Sequence, residues 1–497
     1  MRHRILLAGA LLYLTAANIV WIVRDTRPPF WDMAGHELGA LRIYNAVENS
    51  GLSGLSEIPR QHLTGSYPPF YHLVVAGTWA IFGKSVDVAQ LANLPALAVL
   101  MFATYGIGTT VLSPRLAALA AVITAFYPYL LWISRETIID YWLTAIVAAS
   151  MWALIKTKEF SDLRWSMVFG LFAGIGMLTK WTFPFFLIMP AIWYARRNGK
   201  NAAAAAAIAA ALAAFWYVPS ASRLAEFAKL NTAGGVFEGD PDKLTLAALI
   251  FYVRALEGYQ LFLPLFVAFI AGAFTLRKHY NEKWLPILLW LVGGWFGLLL
   301  FQNKDPRYSA PLLAAVAVIT ASAFRNAKVL TGVLLAFLIF QHYLVSFGIR
   351  SLPESVVLMK GSEGQLSWHW NLYTQKFFGL WGPPARENWK IEHVLNTVGR
   401  GRLGLVPDIP RFDSQAFLFY IELLKVPIQL NRVAVFDPAA IQANDYLLIP
   451  QTTEEHAASF APDPRITEYI KQQSATFQVA DEFSLPNGEV IRLYKVL

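Results

Sequence analysis

Asp32 is the acid best placed to do chemistry in this chain. It stands in Phe30-Trp31-Asp32-Met33-Ala34-Gly35-His36-Glu37, directly after the first apolar segment. Charge near a membrane face is expensive and by default marks a function. Asp32 and His36 are spaced i, i+4, so in a helix they share a face, with Glu37 one step round. A carboxylate so held can take a proton from a hydroxyl. The bland alternative is a solvated loop with an aspartate capping a helix. Later in the same loop comes Tyr67-Pro68-Pro69-Phe70-Tyr71-His72. Its prolines stiffen the chain, and its aromatics suit the headgroup zone. His36, Tyr67 and His72 are candidates for the acceptor side of a site, or for simple loop packing.

More charge follows at the ends of apolar segments. Ser134-Arg135-Glu136-Thr137-Ile138-Ile139-Asp140 places Asp140 one helical turn after Glu136. These groups serve a reaction directly, or Arg135 pairs with a carboxylate to hold two helices. Lys180, in Leu178-Thr179-Lys180-Trp181, and Arg307, in Asp305-Pro306-Arg307-Tyr308, are cations at helix ends. A phosphate at the membrane surface needs such donors. The alternative is snorkelling to headgroups.

The elements that must position these residues are membrane spans. Of 497 residues, 56% are hydrophobic and only 15% charged, against about 25% in soluble domains. The net charge of +8 reads as Lys and Arg at cytoplasmic helix ends, with no nucleic-acid partner. There is no cysteine, which excludes disulfides, thiol catalysis and cysteine metal sites. No Walker loop, Rossmann glycine pattern or zinc motif is present. No spacing calls for a divalent metal or another cofactor.

Apolar stretches at 5–23, 88–111, 116–133, 137–155, 202–218, 261–276, 284–301, 308–324 and 329–347 predict spans. The stretch 165–194, broken by Lys180 and Pro184, predicts a helical hairpin. The total is about eleven spans at roughly 20 residues each. The first is read as uncleaved. With the N-terminus inside, the inner segments carry Arg2 and Arg4, Arg115, Lys156 and Arg164, Arg196 and Arg197, Arg277 and Lys278, and Arg325 and Lys328. Each is basic, as the positive-inside rule expects. This holds only if Phe70–Phe82 is an interfacial or re-entrant helix. The predicted domains are a transmembrane unit, 1–349, with a first outer loop at 24–87, and an extracytoplasmic soluble α/β domain, 350–497. In the latter, strands are expected at 403–406, 433–436 and 446–449, and a helix at Ser414–Leu424. Strands at 477–483 and 490–494 flank the hairpin signal Pro486-Asn487-Gly488. Trp368, His369, Trp370, Trp381 and Trp389 form an aromatic cluster that stacks on sugars or anchors in the interface. The domain is expected to shape the acceptor's access route.

The combination resembles the GT-C-fold membrane glycosyltransferases, in the family of the protein O-mannosyltransferases and the lipid A aminoarabinose transferase. The matching pieces are Asp32, Tyr67-Pro68-Pro69-Phe70, Ser134-Arg135 with Asp140, Leu178-Thr179-Lys180 and Asp305-Pro306-Arg307-Tyr308. Met33 stands where the family often has a second acid, and Gln90 where it often has an arginine. The resemblance implies an enzyme that moves a hexosyl or pentosyl group, with inversion, from a polyprenyl-phosphate-linked lipid donor. The acceptor hydroxyl belongs to a glycan, lipid or protein outside the cytoplasm. Asp32 is then the base, with Glu37 and Asp140 as further candidate catalytic carboxylates. Lys180, Arg135 and Arg307 are the candidate phosphate ligands. The expected location is a bacterial inner (plasma) membrane, among membrane lipids, with the site and the C-terminal domain facing the periplasm. The alternative is a non-catalytic lipid or polysaccharide transporter or assembly protein. Transporters usually place their polar sites near the bilayer midplane.

Overall fold

A computed structural model describes residues 2–348, 355–359, 368–371, 382–406, 408–451 and 463–497. The first part is a helical bundle. Among the described residues, six helices are long and apolar enough to cross a membrane. They are His3–Arg24, Val86–Val111, Ile139–Lys156, Gly199–Phe237, Leu246–His279 and Lys328–Phe347. Shorter apolar helices, among them Phe70–Phe82, Pro114–Phe126, Leu163–Thr179 and Phe183–Ala195, fill in between.

Burial sorts these helices into centre and rim. Pro114–Phe126, Ile139–Lys156 and Leu313–Ser322 bury nearly every side chain, as helices that are apolar all round do at the middle of a bundle. Gly199–Phe237 lies at the rim and exposes Phe215, Val218 and Leu230. It packs on Leu163–Thr179 through small residues. A Cβ added at Gly170 would lie 2.5 Å from the carbonyl oxygen of Ala205. Such close approach is the usual way helices associate in lipid.

Several expected boundaries move, each for a local reason. The predicted hairpin at 165–194 does break at Lys180, which is extended (φ −153, ψ 140) between two helices. Pro184 then sits in the first turn of Phe183–Ala195, where its missing N–H costs nothing. The segment 116–133 breaks once more at Pro128. The span expected at 202–218 continues as helix to Phe237, so much of the predicted outer loop after Ser220 is helical. Ala, Leu, Glu and Lys in that stretch are good helix formers, and Pro219 is carried inside the helix. The first outer loop is itself mostly helical, with Trp31–Ser50 and Phe70–Phe82.

The C-terminal part forms a five-stranded sheet. Ile428–Arg432, Gly401–Leu405 and Tyr446–Pro450 run parallel. Val490–Val496 and Phe477–Ser484 complete it antiparallel, joined through Gly488 at φ +91. The helix Ser414–Leu424 falls where expected. The strand expected at 433–436 is instead Ile428–Arg432. It is an edge strand, so its polar Gln429 and Asn431 are tolerated where a central strand would need apolar residues. Of the expected aromatic cluster, one side chain is described. Trp389 is buried, with its indole N–H on Glu387. Trp368, His369 and Trp370 lie in a strand paired with Ser355–Met359, and Trp381 lies outside the described residues.

Candidate active site

The ends of several helices meet at one place, and each brings a charged group. Asp32 lies in the first turn of Trp31–Ser50 and Asp140 in the first turn of Ile139–Lys156. Helix N-termini favour such carboxylates. Lys180 occupies the break in the hairpin. Asp305 caps the short helix Pro306–Leu312, accepting the N–H of Arg307 at 2.8 Å. That cap fixes the turn from which the Arg307 side chain departs.

Two cations, Arg307 and Lys180, form the ion pairs of the site. Arg307 Nη1 is 2.7 Å from Asp32 Oδ2, and its Nε is 3.2 Å from Asp305 Oδ2. Lys180 Nζ is 2.7 Å from Asp140 Oδ1 and 4.7 Å from the centre of the Tyr308 ring. The pairs differ in access. The Asp32 side chain is 39% exposed and that of Arg307 19%, whereas Lys180 and Asp140 are at 5% and 0%. A reactant can therefore reach the first pair, whereas in the second Asp140 is enclosed and only Lys180 touches the cleft. Desolvation would push the Asp32 carboxyl up, but the Arg307 guanidinium and nearby positive charge outweigh it. The carboxyl is held below its ordinary range and is ionised at neutral pH.

His36 stands one turn below Asp32. Its Nδ1 is 3.2 Å from Nε2 of His72, and its ring meets that of Tyr67 edge-on. Burial pushes His36 down to about 4, so it is neutral at pH 7. Beside these groups lies a narrow cleft lined by Tyr67, Lys180, Trp181, Phe227, Phe301 and Tyr308. It combines one ammonium group with aromatic walls, which suits an anion carried on an apolar chain. A larger hollow, lined by Arg24, Tyr343, Phe347 and Arg386, contains none of the predicted site residues.

The structure thus brings together Asp32, Asp140, Lys180, Arg307, His36, Tyr67 and His72. Arg135 and Glu37 stand apart. The Arg135 guanidinium is buried and bonded to Asn18 at 2.9 Å, Ser346 at 2.7 Å and His342 at 3.1 Å. It ties the first helix to Lys328–Phe347 and does not face the cleft. Glu37 is fully buried and accepts the Thr137 hydroxyl at 2.8 Å. Burial raises its carboxyl well above the ordinary range. Asp305 and Phe227 enter the site from outside the predicted set. Asp305 lay within a quoted motif. Phe227 was hidden because its segment reads as a loop.

Residues 66–222 match the family described as dolichyl-phosphate-mannose-protein mannosyltransferase. Among solved structures, ArnT from Cupriavidus metallidurans in the apo state aligns over 98% of both chains, with a TM-score of 0.61 and 12% identity. The same protein bound to undecaprenyl phosphate aligns over 98% of both chains, with a TM-score of 0.59 and 11% identity. The chain shares the fold of ArnT. The oligosaccharyltransferase AglB from Archaeoglobus fulgidus gives a TM-score of 0.44 at 14% identity, over 69% of this chain and 54% of its own. A comparison with curated protein sequences gave no match. The resemblance to GT-C-fold membrane glycosyltransferases read from the sequence is borne out. The ArnT fold extends over nearly the whole chain, whereas the family match ends before Asp305 and Arg307.

The buried pair makes a prediction about stability. Lys180→Gln strands the Asp140 carboxylate and should cost about 3–5 kcal/mol, the usual penalty for breaking a buried ion pair from one side. Adding Asp140→Asn should recover most of that loss, as read by thermal unfolding in detergent. Full stability of Lys180→Gln alone would show that the pair is not buried as described.

Proposed function

We propose that this protein is a glycosyltransferase that takes its sugar from a polyprenyl-phosphate-linked donor and inverts the anomeric carbon. The observation that carries the reading is Arg307. It holds the partly exposed carboxylate of Asp32 close to a cleft lined by Lys180 and aromatic side chains. ArnT, whose fold this chain shares, has been solved bound to undecaprenyl phosphate, which supports a donor of that class.

The reaction follows from the charges. The donor phosphate carries one negative charge and lies between Arg307 and Lys180. Competition for Arg307 loosens its grip on Asp32, so donor binding frees the base. Asp32 accepts the proton of the acceptor hydroxyl. The hydroxyl oxygen forms a bond to the anomeric carbon from the face opposite the phosphate. The carbon–oxygen bond to the phosphate breaks, and its electron pair leaves with the polyprenyl phosphate. The leaving group gains a second negative charge, which the two cations stabilise in a partly dry site. Neutral His36 stays beside Asp32 without competing for its charge. Asp140 holds Lys180 in place and does not touch the acceptor. Neither Arg135 nor Glu37 has a part at the reacting atoms. No nucleotide is needed, because the activated bond arrives on the lipid.

Asp32→Asn keeps the size and removes the basicity. Consumption of a radiolabelled polyprenyl-phosphate sugar should fall by about 10²–10⁴-fold, the usual contribution of a general base, while the protein still inserts. Retention of more than about a tenth of wild-type turnover would remove Asp32 from that role.

The proposal includes an outward-facing site in a bacterial inner membrane and about eleven crossings. The chain has no cysteine, so single cysteines label cleanly. Cysteines at Gln61 and Glu238 should react with an impermeant reagent added outside, and one at Lys200 should not. Labelling at Lys200 from outside would reverse the inner and outer assignments of that helix.

A further inference from the structure

We propose that Asp413, far along the chain in the C-terminal domain, is a positioning residue for Asp32. The inference rests on the reading of Asp32 as the base. Its starting point is the helix Trp31–Ser50, which has no cap of its own. Phe30 occupies the N-cap position and makes no side-chain cap bond. The first N–H groups of a helix need acceptors. Asp413 Oδ1 accepts the N–H of Trp31 at 3.2 Å. The same oxygen accepts the N–H of Gln415 at 2.9 Å and of Ala416 at 3.3 Å, capping its own helix, Ser414–Leu424. One carboxylate oxygen therefore joins the N-termini of two helices from opposite ends of the chain.

The residue it holds is under strain. Trp31 has φ +44, a region that L-residues with large side chains avoid. Such a conformation persists only where its surroundings over-determine it. They do so here. The Trp31 indole N–H donates to Asp408 Oδ1 at 2.9 Å. Arg411 donates to the carbonyl of Pro28 at 3.0 Å and covers the Phe30 ring at 4.9 Å. Upstream, the Thr26 N–H bonds the carbonyl of Ala385 at 3.0 Å. Downstream, Ala34 is buried in the C-terminal core beside Phe417, and Arg42 pairs with Glu422. Asp32 is the next residue after Trp31, so its Cα and the direction of its side chain are set by this grip. The C-terminal domain thus acts on the base through the backbone, a different task from shaping an acceptor route.

The test separates capping from positioning. Asp413→Ser keeps a short cap acceptor for its own helix but does not reach Trp31. Asp413→Asn keeps an oxygen where Oδ1 stands. Full-length variants in nanodiscs are compared by hydrogen–deuterium exchange of the peptide covering 28–40. Turnover of a radiolabelled polyprenyl-phosphate sugar and binding of undecaprenyl phosphate are measured beside it. Asp413→Ser should raise exchange at the start of the helix and lower kcat by about ten- to a hundredfold, the scale of a misplaced catalytic group. The donor KM and the lipid-phosphate affinity should stay near wild type, and Asp413→Asn should restore kcat and exchange together. Wild-type exchange and wild-type kcat in Asp413→Ser would overturn the proposal. So would raised exchange with kcat unchanged, or an equal loss in Asp413→Asn. Asp32→Asn, measured in parallel, tests the base itself. If it retains full turnover, the base assignment fails, whereas the exchange data still judge the link from Asp413 to Trp31.

Discussion

Arg307 holds two carboxylates at once, Asp32 at 2.7 Å and Asp305 at 3.2 Å. The rest of the structure is arranged so that it can. A charge taken out of water must be paired or it is not tolerated. Asp32 and Asp140 come from different elements than the cations they pair with, so those elements have to end at the same point. Trp31–Ser50 and Ile139–Lys156 start there, Leu163–Thr179 stops there, and Pro306–Leu312 begins there. The second pair, Lys180 with Asp140, repeats the constraint one layer deeper, where Asp140 is fully enclosed and Lys180 nearly so. The helices fully buried at the bundle centre provide a rigid floor. Gly199–Phe237 at the rim supplies an aromatic wall through Phe227.

Much of this was legible in the sequence because charge in a greasy chain is rare and each instance must be explained. Asp32, Asp140, Lys180 and Arg307 were picked out for that reason, and they meet. Arg135 was picked out on the same ground and does not join them. A buried guanidinium is as costly whether it binds a ligand or ties helices together. Composition cannot tell the two apart, but partners such as Asn18 and Ser346 can. Glu37 lies a single step round the helix from His36, and that step turns it toward Thr137. Helix ends were hardest to read. The expected span ends at 218, yet the helix runs on to Phe237, and with it Phe227 enters the site. The C-terminal helix Ser414–Leu424 and the hairpin around Gly488 were readable from local pattern. The edge strand Ile428–Arg432 was not, because one-sided burial leaves little apolar signal.

The link between the two parts of the chain had no sequence signature at all. The bond from Trp31 N–H to Asp413 joins residues hundreds of positions apart and depends on a backbone angle that no side-chain pattern announces. It gives the C-terminal domain a physical reason to be continuous with the bundle. The helix that carries Asp32 is capped, flanked and partly buried by that domain, so the proposed base is only as well placed as the sheet behind it. The same dependence explains how Asp32 can be partly exposed and still fixed. Its side chain is 39% exposed, while the backbone beside it is held by the C-terminal domain.

The central claim is that a lipid phosphate takes Arg307 and Lys180 as its ligands and thereby releases Asp32. A cryo-electron microscopy structure of the protein with undecaprenyl phosphate in nanodiscs tests it most directly. Phosphate oxygens should lie about 3 Å or less from both cations, with the prenyl chain along Phe227 and Phe301 and the Asp32–Arg307 contact opened. A lipid phosphate bound elsewhere, with the Asp32–Arg307 pair still closed, would contradict it.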